Sequence, residues 1–168
     1  MNNSLINTLR ESLWNQFGAS VDMLENAILL CPEEHWDTDK KFWYHAFHAL
    51  FFLDYYLSTD PKTFAPPEPF TESEFEDRLP DRVYDKDELL TYLAFCRQKC
   101  WDLIDDLTVE AATENWINVS QTMVYPTIEI LMYNMRHVQH HTAQLNLLLR
   151  QEINDAPDWI YRAGETNH

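Results

Sequence analysis

Glycine is nearly absent from this chain: only Gly18 and Gly164 occur in 168 residues. Tight hairpins favour Asn-Gly or Asp-Gly pairs, and neither is present, so a sheet protein is not expected. Glycine-rich phosphate loops are missing too, which excludes Rossmann and P-loop nucleotide sites. Basic residues are also scarce, 12 against 28 acidic ones, for a formal charge of −16. Nucleic-acid binding needs lysine and arginine to neutralise phosphates, and no basic stripe exists, so no nucleic-acid partner is expected. An anionic membrane surface is disfavoured for the same reason. The longest charge-free aromatic run, 42–53, is well short of the ~20 residues a membrane-spanning helix requires. Three cysteines, Cys31, Cys96 and Cys100, are too few for a disulfide framework. With no apolar export segment in the first 20 residues, a cytoplasmic chain is expected.

What is present is apolar and periodic. Apolar residues make up 45% and charged residues 24%, the balance of a globular chain, and the length suits a single domain over 1–168. Leu5, Leu9, Leu13, Phe17, Val21, Leu24 and Ile28 recur at three- and four-residue steps and predict a first helix over 4–30. A second, over 41–57, is apolar nearly all round, with Asp54 as its one interior charge, and so should be surrounded by other helices. A third spans 86–107, with Asp85 and Glu88 placed for a capping box. The fourth starts at Pro126, a residue suited to a first helical turn, and runs to 151.

An all-α four-helix bundle is therefore expected. About ten residues join helices 1 and 2, which should be antiparallel neighbours. Helices 2 and 3 are separated by the 28 residues 58–85, proline-rich and acidic, with Thr71 and Glu74 spaced to cap a short helix. So long a connection reads as a crossover that makes helices 2 and 3 parallel, in up-down-down-up order. Its phenylalanines, Phe64, Phe70 and Phe75, suggest packing over one bundle end, bordering a site. The acidic run 72–81 reads as a solvated loop, and Trp159 and Arg162 lie in a tail expected to dock on the bundle.

The histidines carry the chemistry. Helix 4 contains His137-Val138-Gln139-His140-His141. At about 100° per residue, His137 and His141 lie about 40° apart, the i, i+4 geometry in which two imidazoles share an ion. Asn134 and Leu145 share that inward sector, while His140 points about 60° away, to the bundle edge. Helix 2 adds His45 and His48 within an almost wholly apolar segment. A buried imidazole without a partner is unfavourable by ~1–3 kcal/mol. It is satisfied either by a carbonyl or hydroxyl, such as those of Tyr44, Tyr55 and Tyr56, or by a metal shared with helix 4. Three imidazoles would leave coordination positions open, the pattern of catalytic sites. His137 is not followed by Glu, so the His-Glu-x-x-His protease pattern is absent. Cys96 and Cys100 also share a face, but two free cysteines at that spacing read as core residues.

Two segments resemble the DinB-like family of metal-dependent four-helix bundles, whose name refers to DNA damage. One is Trp43-Tyr44-His45-Ala46-Phe47-His48-Ala49-Leu50-Phe51-Phe52-Leu53-Asp54-Tyr55-Tyr56-Leu57. The other is Tyr133-Asn134-Met135-Arg136-His137-Val138-Gln139-His140-His141-Thr142-Ala143-Gln144-Leu145. This helix 4 segment is similar to that family's His-x-x-His-His-x-x-Gln helix, with Ala143 standing where many members have glycine. The resemblance implies a divalent ion held by His48, His137 and His141. His48 is preferred to His45 because it precedes Ala-Leu-Phe-Phe-Leu-Asp, where the family's ligand stands. His45, Asn134, His140 and Gln144 would flank the ion. Zinc or nickel leads among the metals, ahead of manganese or iron, since imidazole suits several of these.

The resemblance further implies a metal-dependent enzyme, a transferase of small thiols or a hydrolase, acting on a small-molecule substrate. A homodimer is the expected assembly. The alternative is a non-catalytic bundle that holds a metal or an apolar ligand.

Overall fold

The architecture, taken from a computed structural model, describes residues 2–164; the single-domain expectation of 1–168 extends beyond these at both ends. It is mainly helical. The elements run α1 (Asn2–Leu30), α2 (Glu33–Trp36), α3 (Phe42–Tyr56), α4 (Lys86–Asp105), α5 (Val109–Thr113), β1 (Asn115–Ile117), β2 (Val124–Pro126) and α6 (Thr127–Ile153). Four of the helices are long, and their apolar faces meet in one main core.

Helix α3 is largely enclosed, as its composition requires: eleven of its fifteen residues are buried. Phe47, Leu50, Phe51 and Leu53 are fully enclosed. Removing four such side chains from water contributes roughly 6–12 kcal/mol as an upper bound, before chain entropy is set against it. Its interior charge, Asp54, is buried and paired: Tyr92 donates to Oδ2 at 3.0 Å, and Lys99 Nζ donates to Oδ1 at 2.6 Å. On α1 the apolar stripe is buried from Leu13 onward, whereas Leu5 is exposed. Helix α4 opens with the capping box that Asp85 and Glu88 predict. Glu88 N–H donates to Asp85 Oδ1 at 2.8 Å, and Asp85 N–H donates to Glu88 Oε2 at 2.9 Å.

Helices α1 and α3 each pack on both α4 and α6. The close adjacency expected of the first two long helices is therefore not what is found; they face one another across the core. The connecting residues 31–41 include α2, and at up to ~3.3–3.6 Å per extended residue they have the reach to cross it. Successive contacts give the helix directions. Along α1, Trp14 meets Trp101, Asp22 pairs with Arg97, and the Cys31 carbonyl accepts from Lys86, so partners on the α4 side recede as α1 advances. Along α3, Leu50 meets Cys96 and Asp54 meets Lys99, so the two helices advance together. Against α6, His48 lies by His141, Phe52 by His137 and Tyr56 by Tyr133, so α3 and α6 run oppositely.

Two departures concern segments between helices. Strands β1 and β2 form a short antiparallel pair, Trp116 opposite Tyr125, which the all-α expectation does not include. The connecting loop needs no glycine, because Asn118 Oδ1 accepts from Met123 N–H at 2.9 Å and Gln121 supplies the left-handed residue, φ 59°. The hairpin's Trp116 closes the end of α3, its indole N–H donating to the Ser58 carbonyl at 2.9 Å. In the connection 58–85, Thr71 and Glu74 do not cap a helix. Residues Ser73–Glu76 form one 3₁₀ turn without a side-chain cap, and Thr71 Oγ1 donates to Ser73 Oγ. The phenylalanines pack on the α3 side, with Phe64 on Phe51, Phe70 on Phe47 and Phe75 on Phe51.

The tail docks on α1 through Ile160, buried with Ala19 and Met23, and through Ala163 N–H to the Asn15 carbonyl at 3.0 Å. Gly18 is required there, since a Cβ at that position would stand 2.6 Å from Ala163 Cβ. Among the described residues, no helix is long and apolar enough to cross a membrane.

Candidate metal centre

Antiparallel packing of α3 on α6 brings together histidines separated by nearly ninety positions. His48 from α3 and His137 and His141 from α6 each offer a ligand atom, all within 4.8 Å of one another. The rings are correspondingly close, at 4.5 Å for His48–His141, 4.4 Å for His137–His141 and 5.6 Å for His48–His137. Nitrogens bound tetrahedrally to one zinc stand roughly 3.3 Å apart, given zinc–nitrogen bonds of ~2.0–2.1 Å, so small side-chain rotations complete such a site. Among the described residues, no other group of three or more such donors converges.

The electrostatics suit an ion. All three side chains are half-buried. Burial, followed by the neighbouring His141 and His48 imidazoles, pushes His137 down to about 3. Burial and then His48 push His141 down to about 4. Both are thus neutral near pH 7, the form that offers a lone pair to a cation.

Two of the three rings are held from behind. His48 Nδ1 lies 2.6 Å from Glu74 Oε2, and His141 Nδ1 lies 2.7 Å from Gln144 Oε1. Both partners are acceptors, so each Nδ1 carries the proton and Nε2 is left as the donor atom. His137 differs: its Nδ1 is buried with no hydrogen-bond partner. Such orphans are rare in folded proteins and point to a missing partner. Among the described residues, the buried polar atoms without one are Glu74 Oε1 and, all on α6, Asn134 Oδ1, His137 Nδ1, Thr142 Oγ1 and Asn146 Oδ1. The donor set, the neutral imidazoles and the orphaned nitrogen fit a divalent ion.

The remaining candidates are placed as follows. His140 is exposed, its ring 5.0 Å from that of His141, and it contributes no atom to the converging set. His45 also stands outside that set, its pKa lowered by burial and then by His48. Asn134 is fully buried and ties α6 to α3, its amide donating to the Leu53 carbonyl at 2.9 Å. Gln144 supports His141 directly. Aromatic rings complete the wall: Phe52 packs on both His48 and His137, and Tyr56 packs on His137.

Glu74 is the residue that sequence reasoning misses. Its position reads as a cap within a solvated acidic run, yet its side chain is only 4% exposed. No spacing rule relates a residue of this connection to a histidine 26 positions before it. The one available signal is that this helix 2 histidine needs a partner.

No known family model, curated protein or solved structure matches the chain.

Proposed function

We propose that the chain is a metal-dependent enzyme of the DinB-like class, a thiol transferase or hydrolase acting on a small molecule. The observation that carries this reading is the convergence of His48, His137 and His141 from two helices onto one point. The order of contacts between helices supports the corresponding scaffold, an up-down-down-up four-helix bundle with 58–85 as its crossover. We further assign it to the cytoplasm, as a homodimer without nucleic-acid or membrane partners.

His48, His137 and His141 would hold a divalent ion, which would supply Lewis-acid activation of a water or of a substrate thiol. Zinc or nickel fits the all-nitrogen set best, with manganese or iron less suited. The chain's own residues do the rest. Glu74 and Gln144 fix the tautomers of His48 and His141. Phe52 and Tyr56 line the site with rings that exclude water and accommodate an apolar substrate.

The test is turnover against a panel of small thiols paired with electrophiles, and of hydrolysable esters and amides. Activity should disappear on chelation and return with added metal. Activity that survives chelation would count against the metal, and metal binding without any turnover would favour a binding protein.

One observation favours that second, non-catalytic reading. A cavity of about 740 Å³ lies between α4 and the hairpin, lined by Leu57, Phe95, Leu103, Trp116 and Ile130 among others. It has the size of a small-molecule site, and none of the three histidines lines it. A ligand there would bind equally well after all three histidines are replaced.

A further inference from the structure

The crossover reaches the three-histidine cluster through a single side chain, Glu74. Its Oε2 lies 2.6 Å from His48 Nδ1, and its other oxygen, Oε1, is buried with no partner. The basic residue closest to it in sequence is engaged elsewhere, since Arg78 pairs with Glu76 and Asp81. The His48 N–H is the close donor to this buried carboxylate, at 2.6 Å, with the Tyr44 hydroxyl as a further hydrogen-bonding neighbour. A buried acid is costly without such donors, so its seat depends on them, His48 foremost.

The flanking residues show that the seat is built. Ser73 is fully buried. Phe75 packs on Phe51 at 4.9 Å and on Tyr55 at 5.0 Å, and also touches Phe52, whose ring contacts His48 and His137. Tyr44 stands beside Glu74 as well, its hydroxyl pushed up to about 12 by burial and then by that carboxylate. The turn Ser73–Glu76 is thus held on both sides of Glu74, by the burial of Ser73 and by the packing of Phe75 on α3.

We infer that Glu74 is a positioning residue through which ion binding at His48, His137 and His141 and the seating of the turn Ser73–Glu76 on α3 are one coupled event. By accepting from Nδ1, Glu74 presents Nε2 of His48 as the ligand atom and raises its basicity. A cation on Nε2 in turn makes Nδ1–H a stronger donor and tightens its bond to the carboxylate. The coupling is reciprocal: whatever factor Glu74 adds to ion affinity, the ion adds to the stability of the seated turn. This inference rests on the three-histidine reading proposed above.

Zinc affinity, measured by competition with a chromophoric chelator, tests it in wild type, Glu74→Ala and Glu74→Gln. Replacing an acceptor behind a metal-binding histidine weakens metal affinity by about 10–100-fold, and Glu74→Ala should fall in that range. Glu74→Gln keeps an oxygen acceptor without the charge and should lie between the alanine variant and wild type. Hydrogen exchange supplies a further readout: zinc should slow exchange at Ser73–Glu76 in wild type and not in Glu74→Ala. Should the alanine variant fail to fold, the glutamine variant and wild-type exchange still decide the matter. Wild type that binds no zinc would sink the underlying metal reading. Wild type that binds zinc, with both variants matching its affinity or with exchange in the turn unchanged by zinc, would overturn the role of Glu74 alone.

Discussion

Asp54 offers the sharpest test of how the core holds together. Its side chain is 2% exposed on a helix otherwise built from aromatic and aliphatic residues, and two groups on α4 depend on it. Tyr92 is buried, so without the carboxylate its hydroxyl loses its 3.0 Å acceptor. That loss is worth about 1–3 kcal/mol. Lys99 is less exposed to harm, because it is 29% exposed and also donates to the Asp54 carbonyl at 3.1 Å. Adding the cavity, Asp54→Ala should destabilise by about 3–5 kcal/mol, the range for breaking a buried pair. For a chain of this length that lowers Tm by roughly 6–20 °C.

Tyr92→Phe removes one bond to a charged acceptor and should lose about 1.5–3 kcal/mol. In the double variant Asp54→Ala/Tyr92→Phe, no hydroxyl is left to be orphaned. Its loss should therefore fall short of the sum of the single losses by about 1–2 kcal/mol. Urea unfolding followed by circular dichroism measures all three. Additivity within about 0.5 kcal/mol would show that the two side chains do not interact, and the reasoning would fail.

Gly18→Ala should destabilise despite a better helix propensity of up to ~1 kcal/mol, because its Cβ would collide with Ala163. Adding Ala163→Gly should restore much of the loss; if the single variant is as stable as wild type and its tail no more sensitive to protease, the close packing is refuted. The three thiols should resist modification. Burial raises Cys31 to about 11 and Cys96 and Cys100 well above their ordinary value, so Ellman's reagent at pH 8 should label them slowly until the chain is unfolded. With folded-state pKa values above the unfolded ones, the unfolded chain releases protons first, so stability should be full below about pH 8.5 and fall as pH rises towards 11. A urea midpoint unchanged between pH 8 and pH 10.5 would contradict this. Duplex DNA should not bind at physiological salt to a chain of formal charge −16, and a saturable, salt-sensitive shift would overturn the charge argument.

Much of the fold is legible in sequence because long helices write their buried face at a regular spacing. The stripe from Leu13 to Ile28, the apolar surround of α3 and the Asp85–Glu88 box all report local geometry. The inward i, i+4 pair on α6 is legible for the same reason, whereas the choice of His48 over His45 on α3 comes from the family resemblance and not from spacing. What escapes is whatever depends on where unperiodic segments land. Strands of three residues leave too short a pattern to read, and the hairpin turn is made by an asparagine side chain instead of glycine. Helix α3 lies across the core from α1, since the link 31–41 has the reach for either position. Glu74 resembles its solvated neighbours in the acidic run; only the docking of Phe64, Phe70 and Phe75 on the α3 side carries it to His48.

The proposed site has three histidines, and not four, holding one divalent ion. Metal analysis of purified wild type, His48→Ala, His137→Ala, His141→Ala and His140→Ala, each loaded with zinc and desalted, tests it most directly. Wild type and His140→Ala should retain close to one ion per chain, while each of the other three should lose tight binding. An equal loss in all four variants, or no retained ion in wild type, would contradict the account.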